Sequence, residues 1–172
     1  MSSQQAATGV GSGRGDYETP DDLFAMLDLR VGGFTLDAAA SHENTKVPAL
    51  YCTTEGTFEN AHGEHFFRDS ATGLTYRWTD ERVFVNPPYT RGALEPFMAK
   101  CADERNSAAA IVALIPVATD TAWWHEHVRP YATIHYLRGR VKFLLDGVEQ
   151  GSPPGGVCVA EFLPDWLNGG KR

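Results

Sequence analysis

The sequence has few cysteines and no long apolar segment. Its three cysteines, Cys52, Cys101 and Cys158, are scattered and odd in number, so they do not suggest the paired framework of a disulfide-stabilised secreted domain. No stretch approaches the roughly 18 consecutive apolar residues of a membrane span, and the N-terminus lacks the apolar core of a secretion signal. We therefore expect a cytoplasmic protein that has no membrane partner.

The sequence also lacks an excess of basic residues. Lysine and arginine number 15 against 22 aspartates and glutamates, which gives a formal net charge of −7. This balance excludes a general nucleic-acid coat protein but not an enzyme with a local basic face. The 172 residues, 42% of them hydrophobic, suit one domain. We predict a flexible leader over residues 1–15, one domain over 16–166 and a flexible tail over 167–172.

The hydrophobic pattern alternates between helical and extended segments. Helical spacing occurs in "TPDDLFAMLDL", "GALEPFMAKCADE" and "TDTAWWHEHV", and strand-like runs occur in "FTLD", "RVFV", "AAAIVALIPVA", "ATIHYLRG", "RVKFLLDG" and "GGVCVAEFL". Such alternation predicts an α/β fold with a mostly parallel sheet and helices on both faces. The strand-rich C-terminus predicts an antiparallel edge on that sheet. The interval between Asp37 and Asn86 is short for two full strand–helix units, so we expect one helix there to be shortened or replaced by a loop.

The most unusual segment is "VFVNPPY", in which a strand-like run stops at Asn86, Pro87, Pro88 and Tyr89. Prolines end strands because they lack the ladder N–H group, and ligands of open α/β sheets bind beyond the carboxyl ends of strands. The Asn86 amide oxygen and the Pro87 carbonyl can together accept both hydrogens of an exocyclic amine. Tyr89 can stack on the base that carries the amine. The alternative is a strand that ends in a rigid polyproline turn.

Five segments, taken in order, resemble one family. "DYETPDDLF", "FTLDAAAS", "VFVNPPY", "ALIPVATDTAWW" and "LRGRVKF" are similar to those of the phage and prophage DNA N6-adenine methyltransferases, the Dam-like family. The resemblance runs from Asp16 to Phe162. It implies a Rossmann-like methyltransferase fold, S-adenosylmethionine as cofactor, DNA as partner, and transfer of a methyl group to N6 of a flipped adenine. If the gene is carried by a phage, the cytoplasm is that of the host bacterium.

Two alternatives remain open on the sequence. The same motif could present an amine of RNA or of a protein glutamine. The second alternative is a methyltransferase-like domain that binds nucleotide or DNA without turnover. The alanine-rich loop favours this alternative. The sequence indicates no obligate protein partner.

The resemblance assigns the cofactor to two segments. Asp37, with Ala38 and Ala39 after it, matches the first strand-to-helix loop, and Asp37 is expected near the amino group of the cofactor. The alternative is an aspartate that caps the next helix. These alanines replace the bulky and glycine residues of the better-known form of this loop.

The second cofactor segment is "DYETP". There Tyr17 is expected to pack on the cofactor, and Thr19, as N-cap of a helix with Pro20 in its first position, is expected to bind the carboxylate. An acidic residue should hold the ribose hydroxyls, and either Glu55 or Asp69 could do so.

The predicted DNA contacts are basic. Arg138, Arg140 and Lys142 alternate along one side of a possible strand, where they could bind phosphates or simply guard an edge strand. Arg91 follows the NPPY motif and could contact the backbone beside a flipped base. Loops around residues 54–80 and 145–155 are candidates for reading the target sequence.

The histidine pairs and the tryptophans do not indicate a functional site. The pairs in "HGEH" and "HEH" lack the usual ligand spacing of a metal site, so we expect no metal. Trp123 and Trp124 are expected in the core.

Overall fold

The computed structural model describes residues 18–40, 45–47, 57–59, 65–67, 70–75, 77–145 and 147–167. Helices α1, α2 and α3 span Asp21–Val31, Ser70–Thr75 and Leu94–Glu104, and a π-helix spans Trp124–Val128. The strands are β1 (Leu36–Asp37), β2 (Thr57–Glu59), β3 (His65–Phe67), β4 (Arg82–Val85), β5 (Ala110–Pro116), β6 (Ala132–Tyr136), β7 (Leu144–Leu145), β8 (Val148–Glu149) and β9 (Val157–Phe162). The predicted leader, and all of the predicted tail except Leu167, lie outside the described residues.

The central sheet has five strands in the order β1-β4-β5-β9-β6. Strands β1, β4 and β5 pair in parallel, whereas β9 pairs antiparallel with both β5 and β6. The fold is therefore α/β with a mostly parallel sheet, as predicted. The predicted antiparallel edge from the C-terminal strands is confirmed: β6 is the edge strand, and it pairs antiparallel with β9, which lies between β5 and β6. Strand β9 pairs with β5 over its whole length and with β6 from Cys158 to Phe162.

Both faces of the sheet are buried. On β4 and β5, Val83, Val85 and Ile111 face one core, whereas Phe84 and Val112 face the other. This alternation follows from the two-residue period of a strand, and burial on both sides is typical of sheets covered by helices on both faces. The continuous apolar run of β5 was correctly predicted to be buried on both faces.

The helices cover the two faces of the sheet. Helix α3 and the π-helix contribute Phe97, Met98 and Trp124 to one core, while α1 contributes Leu27 to the other. Trp124 is 4% exposed, and its ring meets that of Trp123 edge-on, with centroids 5.9 Å apart, so the prediction of a core role holds. Within the described residues, none of the helices is long and apolar enough to cross a bilayer.

The segment between β1 and β4 contains short elements in its described parts. Strands β2 and β3 form a separate antiparallel pair, and α2 has six residues. The short helix agrees with the limited chain length between Asp37 and Asn86.

Cys101 and Cys158 are buried free thiols. Burial raises the pKa of both, that of Cys158 to about 12, so both remain protonated and unreactive at neutral pH. Cys52 lies outside the described residues.

Candidate functional site

Asp37 and Asn86 end neighbouring parallel strands. Asp37 pairs with Phe84 in the register of β1 and β4, and Asn86 follows β4 directly. Carboxyl ends of parallel strands meet at one edge of a sheet, so the two side chains come together. Both line one hollow, together with Glu18, Thr19, Ala39, Ala40, Lys46 and Phe84.

The Asp37 carboxylate is fixed by its own loop. Asp37 is 5% exposed, and its Oδ1 accepts a hydrogen bond of 3.3 Å from the backbone N–H of Ala39. This i to i+2 bond is an aspartate turn. The backbone N–H of Ala38 donates to Phe84 O at 2.9 Å. The alternative in which Asp37 caps the next helix is wrong for the described residues, because a turn, and not a helix, follows β1.

Thr19 lies one residue before the N-cap of α1. Pro20 occupies the N-cap position of α1, with φ −54° and ψ 139°, and the cap makes no side-chain hydrogen bond. Helix α1 starts instead with the hydrogen bond from Phe24 N to Pro20 O. The prediction of Thr19 as N-cap and Pro20 in the first helical position is therefore displaced by one residue. Thr19 is 2% exposed and lines the hollow, and its Oγ1 has no hydrogen-bond partner among the described residues.

The residues after Asn86 are held against the sheet. Pro87 is buried and Pro88 half-buried. The Tyr89 hydroxyl donates to Leu114 O at 3.0 Å, and the Tyr89 ring meets Phe143 edge-on at 5.6 Å between centroids and 84° between planes. Burial raises the pKa of Tyr89 well above its ordinary value, so the hydroxyl remains a donor. Two independent contacts thus fix the ring at the carboxyl ends of β4 and β5.

Lys46 and Glu18 line the hollow, and sequence reasoning missed both. The Lys46 Nζ lies 2.6 Å from Asp21 Oδ1 and 3.8 Å from Glu18 Oε2. The Lys46 ammonium lowers the pKa of Asp21 through their hydrogen bond and charge interaction. Nothing in the local sequence marks Lys46, because its position depends on contacts with α1.

The four predicted DNA-contact residues differ in their contacts. Arg140 donates to Pro153 O at 2.5 Å, and Lys142 Nζ lies 2.7 Å from Glu149 Oε1. Arg91 and Arg138 are exposed, and neither forms an ion pair with any residue that the structure describes. Arg140 and Lys142 are therefore engaged within the protein.

The three basic residues of the "RGRVKF" segment border one groove but do not lie on a strand. Strand β6 ends at Tyr136, and β7 begins only at Leu144. The predicted strand is wrong here because Gly139 adopts the left-handed conformation, with φ 87°, which turns the chain. The groove, of about 440 Å³, is lined by Pro20, Asp22, Leu23, Leu137, Arg138, Arg140, Val141, Lys142, Leu144 and Glu149.

Three predicted cofactor residues, Tyr17, Glu55 and Asp69, lie outside the described residues. Part of the candidate specificity loop around residues 54–80 does so as well, and the described part of that segment contains β2, β3 and α2. Within the part of the chain that is described, no group of three or more His, Cys, Asp or Glu residues could hold a metal ion.

Comparison with known proteins gives one family. Residues 55–163, more than half of the chain, match the model of the family described as DNA N-6-adenine-methyltransferase (Dam). This region contains the segment from Asn86 to Tyr89 and all four predicted DNA-contact residues, whereas Thr19 and Asp37 precede it.

A curated phage protein is also similar. The DNA N-6-adenine-methyltransferase of Escherichia phage T1 is 28% identical over 135 residues, which cover 77% of this chain and 49% of the phage protein. The chain thus spans about half the length of that relative. Because the family model matches most of the chain, this protein belongs to the DNA N-6-adenine-methyltransferase (Dam) family.

Proposed function

We propose that this protein transfers a methyl group from S-adenosylmethionine to N6 of adenine in DNA. One observation carries the proposal beyond family membership. Asn86, at the carboxyl end of β4, shares a hollow with Asp37, at the carboxyl end of β1. In this proposal, the Asn86 amide orients the amine and the Asp37 carboxylate orients the cofactor within one site.

The sheet supports a Rossmann-like methyltransferase fold. Its parallel strands β1, β4 and β5 bring their carboxyl ends to one edge, and one reversed strand, β9, separates β5 from β6. Residues 16–166 form a single domain in this proposal, with the site at the carboxyl edge of the sheet.

The residues of the hollow fit the amino-acid end of S-adenosylmethionine. Thr19 Oγ1 is buried without a described partner, and a buried hydroxyl left unpaired is costly, so a bound polar group there is favourable. The Asp37 carboxylate suits an ammonium group. When bound, the cofactor supplies a methyl group that its sulfonium has already activated, and positioning therefore matters more than general-base catalysis. Ala39 lines the hollow and leaves room for close approach, whereas Ala38 is buried beside it. Tyr17, Pro20, and Glu55 or Asp69 complete the proposed cofactor contacts.

The amine would be held by the NPPY segment. The Asn86 amide oxygen and the Pro87 carbonyl accept its two hydrogens, which makes the nitrogen lone pair available for attack on the methyl carbon. Pro88 stiffens this turn. Tyr89 stacks on the adenine, which must leave the duplex to reach the site. The proton lost from nitrogen leaves to water.

The test removes the amide. Asn86→Ala should abolish DNA methylation, measured by incorporation of labelled methyl groups, while the affinity for S-adenosylmethionine, measured by calorimetry, stays within about twofold because Asn86 orients the amine, not the cofactor. Asn106→Ala is the matched control, because Asn106 binds Asp165 on the surface. Normal methylation by Asn86→Ala would overturn the assignment.

The acceptor is tested separately. Labelled cofactor is incubated with DNA, RNA and protein pools, and the methylated atom is identified. We expect label only in N6-methyladenine of DNA. Label in RNA or in glutamine would show that RNA or protein, and not DNA, is the substrate. Binding of cofactor and DNA without transfer would support the non-catalytic alternative.

A further inference from the structure

We propose that Lys46 binds the carboxylate of the cofactor and so selects ligands that carry a complete α-amino acid group. The inference rests on the proposed use of S-adenosylmethionine. It concerns a residue that the sequence motifs do not include.

The charges of the hollow support this role. Among the described residues that line it, Glu18 and Asp37 carry carboxylates and Lys46 carries the only cation. A ligand carboxylate entering beside two protein carboxylates would be repelled, and the Lys46 ammonium offsets that repulsion. These charges therefore favour one orientation of an α-amino acid group, with its ammonium towards Asp37 and its carboxylate towards Lys46.

The Thr19 hydroxyl is a second, independent observation. Its Oγ1 is buried in the same hollow and has no partner among the described residues. A hydroxyl can donate one hydrogen bond to a carboxylate oxygen. Thr19 and Lys46 together would provide a neutral donor and a charged donor.

The Lys46 backbone is held in place, and its ammonium group still has N–H donors available for a ligand. Its backbone N–H approaches Asp37 Oδ2 at 3.5 Å, and the next residue, Val47, is 4% exposed in the core. An ammonium has three donors, and Asp21 takes one of them. The Asp21 side chain is 84% exposed, and ion pairs with such exposed partners are weak, so Lys46 can turn to a ligand at little cost.

The experiment compares the affinities of two ligands for the parent and for its lysine variants. S-adenosylmethionine and its decarboxylated analogue, which lacks only the carboxylate, are titrated by calorimetry into the full chain and into Lys46→Met. We expect Lys46→Met to lose about 10- to 100-fold in affinity for S-adenosylmethionine, the range for one hydrogen bond to a charged group. Its affinity for the decarboxylated analogue should not fall. Lys46→Arg should keep most of the preference for the carboxylate.

Lys100→Met is the matched control. Lys100 is 16% exposed, close to the 17% of Lys46, and also pairs with a carboxylate, that of Glu104 at 2.5 Å, but it lies on α3 outside the hollow. Lys100→Met should leave both affinities unchanged. Equal affinity of the parent and Lys46→Met for S-adenosylmethionine, or an equal loss for both ligands, would overturn the inference. If the parent itself binds neither ligand, the proposed cofactor is wrong and the inference fails with it.

Discussion

Gly73 of α2 lies directly against the backbone of Ala38, in the loop that follows β1. A Cβ atom built on Gly73 would be 1.7 Å from Ala38 O and 2.7 Å from Ala38 C. The helix cannot easily move away, because Trp78, which is fully buried, donates from Nε1 to Gly73 O at 3.1 Å. The glycine thus sets how closely α2 can pack on the loop that carries Asp37.

Gly73→Ala tests this close approach. Helix propensity alone would favour alanine by about 1 kcal/mol, but the clash with backbone should reverse the sign and cost about 1–3 kcal/mol of the free energy of unfolding. Cofactor affinity should fall too, because the Asp37 loop must shift. Gly151→Ala is the control, since a Cβ there meets nothing within 4 Å. A Gly73→Ala protein as stable as the parent in urea would contradict the prediction.

The hydroxyl and the ring of Tyr89 can be tested separately by two substitutions. Tyr89→Phe removes the hydrogen bond to Leu114 O, which should cost about 1 kcal/mol of stability and leave methylation within a few-fold of the parent. Tyr89→Ala removes the stacking surface, and we expect a loss of about 1–3 kcal/mol in DNA binding. Urea unfolding and incorporation of labelled methyl groups measure the effects of Tyr89→Phe, and fluorescence titration with DNA measures the effect of Tyr89→Ala. Unchanged DNA affinity in Tyr89→Ala would argue against stacking.

The four basic residues should differ in how much each contributes to the salt dependence of DNA binding. Arg91 and Arg138 are exposed and have no described ion pairs, so we expect them to be better phosphate ligands than Arg140 and Lys142. Each alanine variant should then lower the slope of the logarithm of the DNA-binding constant against the logarithm of the salt concentration by about one. Arg140→Ala should change the slope less, because Arg140 holds Pro153 O, and so should Lys142→Ala, because Lys142 pairs with Glu149. Arg129→Ala, before the amino end of β6, is the control. Equal slopes for all variants would refute the distinction.

Glu161 links α1 to β9 and gives stability a pH dependence. Its carboxylate accepts from Arg30 and lies 3.1 Å from His135 Nε2. Burial raises the pKa of Glu161, but the bonds from Arg30 and His135 outweigh burial, and the net pKa lies below the ordinary value of 4.5. The stabilisation is therefore complete above about pH 4.5 and is lost as the pH falls through the lowered pKa.

Glu161→Gln should flatten this acid dependence. Between about pH 3 and 5, urea midpoints of the parent should fall more steeply with decreasing pH than those of the variant. Methylation at neutral pH should not change beyond any effect of lower stability, because Glu161 lies outside the hollow. Identical pH profiles for the two proteins would show that the pair contributes nothing.

Much of the fold could be predicted because the signals are local. The continuous apolar run of Ala110–Pro116 marks a strand buried on both faces, and helical spacing with Pro96 near its start marks α3. The strand prediction failed at Gly139. This residue adopts the left-handed conformation and turns the chain within a segment whose alternating pattern suggested a strand. The place of Val157–Phe162 inside the sheet could not be predicted, because strand order depends on pairing between distant segments.

The sequence by itself determined which groups stand at the end of β4, since Asn86, two prolines and Tyr89 are contiguous and the prolines, which lack N–H groups, end the strand. It also placed Asp37 at the end of a short strand. Only the tertiary structure brought Asp37, Thr19 and Lys46 to the hollow beside Asn86, and only it separated the engaged Arg140 from the exposed Arg138. Such contacts join residues far apart in the chain, and they form only when the sheet and α1 pack together, so no local pattern encodes them.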